Sequence, residues 1–231
     1  MRKVENCPLC GGEGTHMDFK PYHEHEWIAS LSVDRCQTCL TVYQNPRLSD
    51  AELKEYYSSG AYRKEHPSIS KLDEERAERT LAAIERFDVF PESCLDIGCG
   101  RGSLLKQLDC ARVLGLEYDP EIPEIDDVVY SKDDVVDTFD LITCIHVMEH
   151  MPEPAKEFEW MIGKLNYGGT LMLEMPTYVS PDLSHLFIPT KKGVQMMIGD
   201  LIHAYLEYEN HCQVFIGDKY TRKECFRYAS Q

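Results

Sequence analysis

Leu95-Asp96-Ile97-Gly98-Cys99-Gly100-Arg101-Gly102-Ser103-Leu104-Leu105 sets the architecture expected of this chain. Residues 93–97 read as a short buried strand and residues 103–108 as the first turns of a helix, with three glycines at alternate positions between them. Glycines let backbone approach a ligand closely, and a helix N-terminus offers free N–H groups and a positive dipole end. Such a turn suits a polar or charged ligand. The spacing is G-x-G-x-G, not the G-x-G-x-x-G of dinucleotide-binding turns, and alone it also fits a plain strand-to-helix connection.

The residues downstream add to it. Residues 112–116 form a second apolar run that ends in Glu117-Tyr118-Asp119, and Glu117 lies 19 residues after Gly98. A nucleotide-binding α/β unit places an acid there to accept ribose hydroxyls. Then come Phe139-Asp140-Leu141-Ile142-Thr143, His146-Val147-Met148-Glu149-His150, and Leu165-Asn166-Tyr167-Gly168-Gly169-Thr170-Leu171. In this succession the chain resembles the class I S-adenosylmethionine-dependent methyltransferases over about residues 80 to 220. The resemblance implies an α/β, doubly wound, Rossmann-like sheet of seven strands that binds S-adenosylmethionine. It also implies a polar side chain for the adenine amino group at the end of the third strand (residues 127–130), for which Asp133 is the choice.

Composition narrows the class of partner. The chain of 231 residues carries 24 Lys and Arg against 40 Asp and Glu, a net charge of −16. Such a surface repels phosphate backbones and anionic lipid, so bulk nucleic-acid binding is not expected. No apolar run approaches the roughly 18 residues of a membrane span. Residues 1–6 lead into a cysteine pair rather than an apolar stretch. Ten cysteines in that setting fit a reducing, cytoplasmic compartment, as metal ligands or buried thiols.

Four of those cysteines have ligand spacing. Cys7-Pro8-Leu9-Cys10 and Cys36-Gln37-Thr38-Cys39 are two C-x2-C pairs with 25 residues between them. Four thiolates make a closed tetrahedral site for structural zinc, and a metal would supply the stability that so small and polar a segment lacks. His16, His23 and His25 read as surface residues. Residues 1–48 are expected to form this zinc-ribbon module. Residues 49–68, opening on the capped helix start Ser49-Asp50-Ala51-Glu52, connect it to a catalytic domain at 69–231. A zinc-ribbon followed by Asn45-Pro46-Arg47-Leu48-Ser49-Asp50 resembles bacterial small-molecule methyltransferases, among them C-methyltransferases of nucleotide-linked sugars. There the segment bearing Tyr56, Tyr57 and Tyr62 covers the cofactor pocket; the same tyrosines could equally pack module against domain.

Ile69, Leu72, Leu81, Ile84 and Phe87 recur at helical spacing, with Asp73, Glu74, Arg76 and Arg79 on the intervening polar face. His146, Glu149 and His150 leave the end of the fourth strand, where ligands of open α/β sheets lie. They also spell the inverted zinc-protease motif H-x-x-E-H, which belongs on a helix rather than after a strand. His185-Leu186-Phe187 resembles the family's late loop segment and suits a substrate contact. The expected roles follow. Gly98, Gly100 and Gly102 admit the methionine moiety, Asp96 orders the turn, and Glu117 holds the ribose. Tyr118 stacks near adenine, and His146 joins the cofactor-facing group. His150 is the general base, with Glu149 setting its tautomer. The acceptor is a small molecule whose identity the residues do not specify. Two rivals remain: a nicotinamide oxidoreductase on a similar fold, and a non-catalytic protein that senses the cofactor.

Overall fold

The computed structural model describes residues 1–17, 32–65, 69–177, 184–199, 202–208 and 212–218. In chain order the elements are β1 (Gly14–Met17), β2 (Val33–Cys36), β3 (Val42–Gln44), α1 (Asp50–Ser58), α2 (Ala61–Glu65), α3 (Ile69–Arg86), β4 (Ser93–Ile97) and β5 (Arg112–Leu116). There follow β6 (Val128–Val129), β7 (Phe139–Ile145), α4 (Pro154–Lys164), β8 (Leu165–Pro176), β9 (Phe187–Ile188), α5 (Lys191–Ile198), β10 (Ile202–Tyr208) and β11 (Cys212–Asp218).

The larger sheet runs β10-β11-β8-β7-β4-β5-β6. Its five strands β8, β7, β4, β5 and β6 are parallel, and β11 and β10 close one edge as an antiparallel hairpin. All five residues of β4 are buried, as its apolar run requires of a strand covered on both faces. Chain order reverses direction between β4 and β7. At that switch point the strand ends leave a crevice, the general ligand position in doubly wound sheets.

The glycine turn does not start an α-helix. Beyond Gly102 the chain makes isolated turns, with Lys106 N–H donating to the Gly102 carbonyl at 2.9 Å and Leu108 N–H to Leu104 at 3.1 Å. Only nine residues separate Gly102 from Arg112 at the start of β5, which leaves no length for a helix and a return. Strands β4, β5 and β7 fall where the apolar runs place them. Ser49 caps α1 in a reciprocal box with Glu52, satisfying two otherwise orphaned N–H groups.

The small sheet is β1-β2-β3-β9. Its last strand comes from residues 187–188, more than 140 positions after β3, pairing Val42 with Ile188 and Tyr43 with Phe187. Cys7, Cys36, Cys39 and Tyr43 share one buried cluster with Leu95, Met148, Leu186 and Phe187. Cysteine module and catalytic sheet are therefore built on a common core. His23, His25 and Cys225 lie outside the described residues.

Candidate functional site

A cavity of about 630 Å³ opens beyond the carboxyl ends of β4, β5 and β7, under α1, α2 and α3. Its volume is within the range that takes a drug-sized ligand. One end is the glycine turn with its acids; the other carries Tyr57, Tyr62, His146 and His150.

At the turn, Gly98, Gly100 and Gly102 adopt φ values of +69°, +52° and +78°, in the left-handed region that only glycine enters freely. A Cβ on Gly98 would sit 2.3 Å from Val147 Cγ2, and one on Gly100 would sit 3.0 Å from an Asp73 carboxylate oxygen. Gly98 and Gly100 face the cavity, whereas Gly102 is not among the lining residues and packs against Ile125. Glu117 stands at the end of β5. Its Oε2 accepts from Gly100 N–H at 3.1 Å, and Oε1 accepts from Tyr118 N–H at 2.8 Å and Asp119 N–H at 3.1 Å. Burial raises the Glu117 pKa against those donors.

Asp96 accepts from the Thr143 hydroxyl at 2.7 Å, so it ties β4 to β7 beneath the turn. Burial, together with the charges of Glu117 and Asp73, pushes its pKa up to about 7 against the Thr143 hydrogen bond. Asp73, Asp96, Glu117 and Asp119 thus converge on one end of the cavity. Carboxylates held this close in a protein interior favour a cationic occupant. Asp73 comes from the polar positions of α3, to which the sequence pattern assigned no ligand role. Asp73, Arg76, Ala77 and Thr80 of α3 line the cavity, while Leu72 is 41% exposed. Part of the polar stripe therefore faces the cavity, while Glu74, Glu75 and Glu78 face solvent.

Tyr118 lines the cavity and is partly exposed. Asp133 does not line it. It sits exposed in a short 3-10 turn whose cap is Ser131, and Ser131 and Tyr130 are the residues of that connection that reach the wall.

At the other end, Glu149 is fully buried and faces three imidazoles. His146 Nδ1 is 3.5 Å from its Oε1, and His150 Nε2 and His185 Nε2 are each 3.8 Å away. Burial alone would raise the Glu149 pKa, but these rings outweigh it and bring it down to about 2. Protonated imidazoles around it thus favour the ionised carboxylate. His150 Nδ1 lies 3.0 Å from the Tyr57 hydroxyl and 3.1 Å from the Ser184 carbonyl oxygen. The short contacts of His150 are to Tyr57 and Ser184, so Glu149 acts on the ring by charge across 3.8 Å rather than by a hydrogen bond. His146, at φ +55°, places Nε2 3.0 Å from Glu174 Oε1, which Arg79 also holds at 2.8 Å. Glu174, Arg79 and His185 join the site from segments whose sequence carries no local signal for it. Only the His-Leu-Phe resemblance points to His185.

The four cysteines come together. Cys7 Sγ is 3.6 Å from Cys39 Sγ, Cys10 Sγ is 3.5 Å from Cys36 Sγ, and all four sulfurs lie within 4.8 Å of one another. Zinc–sulfur bonds of about 2.3 Å put tetrahedral sulfurs about 3.8 Å apart, so the donor set fits such an ion. Cys39 N–H also points at Cys36 Sγ, at 3.4 Å. His16 is exposed and lies beside Asp34, away from the sulfurs.

No curated protein matches the chain. Among solved structures it is similar to magnesium protoporphyrin IX methyltransferase (ChlM) from Synechocystis PCC 6803 with bound SAM. The identity is 13%, with 76% of this chain and 100% of that one covered and a TM-score of 0.56. It is also similar to an S-adenosylmethionine-dependent methyltransferase from Clostridium acetobutylicum ATCC 824, at 11% identity, 69% and 98% coverage, and a TM-score of 0.52. At such identities the likeness is one of fold. A family model described as a methyltransferase domain matches residues 57–222, well over half of the chain and all of the parallel sheet. This chain belongs to the S-adenosylmethionine-dependent methyltransferases.

Proposed function

We propose that the chain transfers a methyl group from S-adenosylmethionine to a small-molecule acceptor that must lose a proton, a nucleotide-linked sugar being one such class. The observation that carries this reading is the two-ended cavity: carboxylates at the glycine turn, and a tyrosine–histidine pair backed by a buried carboxylate at the other end. When bound, the cofactor supplies an electrophilic methyl on a sulfonium. Gly98 and Gly100 leave room for its methionine part, Glu117 offers its carboxylate to the ribose hydroxyls, and Tyr118 and Ser131 flank the adenine. Asp73 and Asp96 add negative potential that suits its cationic centres.

His150 accepts the acceptor's proton. In the neutral ring Nε2–H faces the Glu149 anion and Nδ1 takes a hydrogen bond from Tyr57 O–H. As the acceptor gives its proton to Tyr57 Oη, the Tyr57 proton passes to Nδ1. The imidazolium then donates from Nδ1 to the Ser184 carbonyl while Nε2–H remains toward Glu149. Both contacts favour the charged ring. The chain's contribution is otherwise one of orientation.

At the cysteines we infer one structural zinc on Cys7, Cys10, Cys36 and Cys39. Elemental analysis should give about one equivalent per chain, lost in Cys36→Ser. A metal-free chain with an intact β1–β3 sheet would contradict it. Calorimetry with S-adenosylhomocysteine, against a reduced or oxidised nicotinamide dinucleotide, tests the cofactor. Methyl transfer from labelled donor across a panel of sugar nucleotides and other small acceptors tests the reaction. Binding of the homocysteine product without turnover anywhere in the panel would instead favour a sensing role.

A further inference from the structure

A short segment, residues 184–188, joins the cysteine module to the proton-accepting site. Residues 184–188 run between β3 and the Glu149–His150 turn and bond to both. On the module side, Gln44 N–H donates to the Leu186 carbonyl at 2.9 Å, and Gln44 Nε2 donates to the His185 carbonyl at 2.6 Å. Strand β9 continues the pairing, and Thr190 Oγ1 donates to the carbonyl of Cys39 at 2.5 Å. On the site side, Leu186 N–H donates to the Glu149 carbonyl at 2.8 Å. The Ser184 carbonyl meets His150 Nδ1 at 3.1 Å, and the His185 ring lies 4.7 Å from the His150 ring while its Nε2 faces Glu149 at 3.8 Å.

Each contact is ordinary alone; their sequence is not. Gln44 is 5% exposed and ends a strand whose other residues pair with the segment. Cys36 N–H donates to the Thr41 carbonyl at 2.9 Å, and the adjoining β3 follows at once. Metal ligand, strand and histidine segment are thus joined by consecutive backbone bonds. Buried backbone groups held this way keep their geometry because breaking any one leaves an unsatisfied polar group.

We propose that the cysteine module is a positioning arm of the proton-accepting site. Gln44 is the positioning residue that holds residues 184–186, and with them His185 and the Ser184 carbonyl, against His150 and Glu149. This deepens the methyltransferase reading and rests on His150 being its proton acceptor. The metal's part is to keep β2 and β3 in register so that Gln44 stays in place.

Two measurements on the full chain test it, neither requiring the acceptor. Amide hydrogen exchange at Leu186 reads the arm directly, and side-chain NMR of labelled histidines in the S-adenosylhomocysteine complex reads its effect on His150 and His185. Gln44→Glu keeps the shape and removes the Nε2 donor; Gln44→Met removes it without adding charge. Both variants should raise Leu186 exchange by about tenfold or more and move the His150 titration midpoint. Zinc content should hold, and affinity for S-adenosylhomocysteine should stay within about twofold of the unaltered chain. Stripping the metal by chelation should produce the same exchange change. Gln37→Ala, which loses only a module contact to Thr15, should leave Leu186 and His150 as they are. Unchanged Leu186 exchange and an unchanged His150 midpoint in Gln44→Met, or unchanged exchange after metal removal, overturns the arm. Failure of the unaltered chain to bind S-adenosylhomocysteine would strike the cofactor reading and leave the exchange result standing.

Discussion

The two ends of the cavity are built in opposite ways. The cofactor end is built around short, contiguous pieces, a glycine turn after β4 and three residues after β5, bonded to each other through Gly100 N–H and Glu117, with Asp73 of α3 and Ser131 added from elsewhere in the fold. The end to which we assign proton acceptance is assembled from α1, the turn after β7, the end of β8 and residues 184–185. Backbone shape makes the first, and side chains brought together by the tertiary fold make the second. A contiguous site needs only local conformation, so glycine spacing and a strand-end acid announce it. A dispersed site depends on packing, and its residues look ordinary in their own neighbourhoods.

That contrast makes predictions at each end, the largest at the dispersed one. Once an acceptor is found, His150→Ala should lower kcat by about 10²–10⁴-fold, the usual contribution of a positioned acid–base group. The limb of the pH–rate profile that reports this base should disappear with it. If the two ends are as separate as the contacts make them, KM for S-adenosylmethionine should hardly move. A variant that recovers full rate at saturating cofactor would place His150 at the wrong end.

Glu117→Ala should weaken S-adenosylhomocysteine by about 10- to 150-fold, from charged hydrogen bonds worth about 1.5–3 kcal/mol. Calorimetry reads this. Affinity retained within twofold would put the ribose elsewhere.

A smaller effect tests the electrostatic character of the turn. Asp96 has its pKa raised from 3.8 to about 7 in the folded chain. Between those values the folded chain holds a proton that the unfolded chain has lost, so stability should fall as pH rises through that window. Asp96→Asn removes the titration. Without cofactor it should raise the Tm at pH 8 by about 3 °C or more relative to the parent, and give no gain at pH 4. A parent chain whose Tm is flat from pH 4 to 8 would mean that the carboxylates of the turn are not in conflict.

Much of the fold was legible in the residues. The runs at 93–97, 112–116 and 139–145 are strands with those bounds, because parallel strands covered on both faces show as short, mostly apolar stretches. Ser49 and Glu52 announced α1 through a local capping pattern. The missing helix after Gly102 was not legible, since Ser103-Leu104-Leu105 has helical character and only the short return to β5 denies it room. On α3, Asp73 and Arg76 read only as part of a polar face, because periodicity identifies such a face without saying what it meets; here both line the cavity. Asp133 lies off the cavity wall for a third reason: the connection before β7 is trimmed, and Tyr130 and Ser131 reach the wall instead. Glu174 and Arg79 meet across 95 positions, a distance no local pattern spans.

The two-ended cavity is tested most directly by one titration series, S-adenosylhomocysteine into the unaltered chain, Glu117→Ala and His150→Ala under a single set of conditions. The account predicts saturable one-to-one binding to the unaltered chain, a loss of about 10- to 150-fold in Glu117→Ala, and a change within about twofold in His150→Ala. No binding to the unaltered chain, or equal losses in both variants, would contradict it.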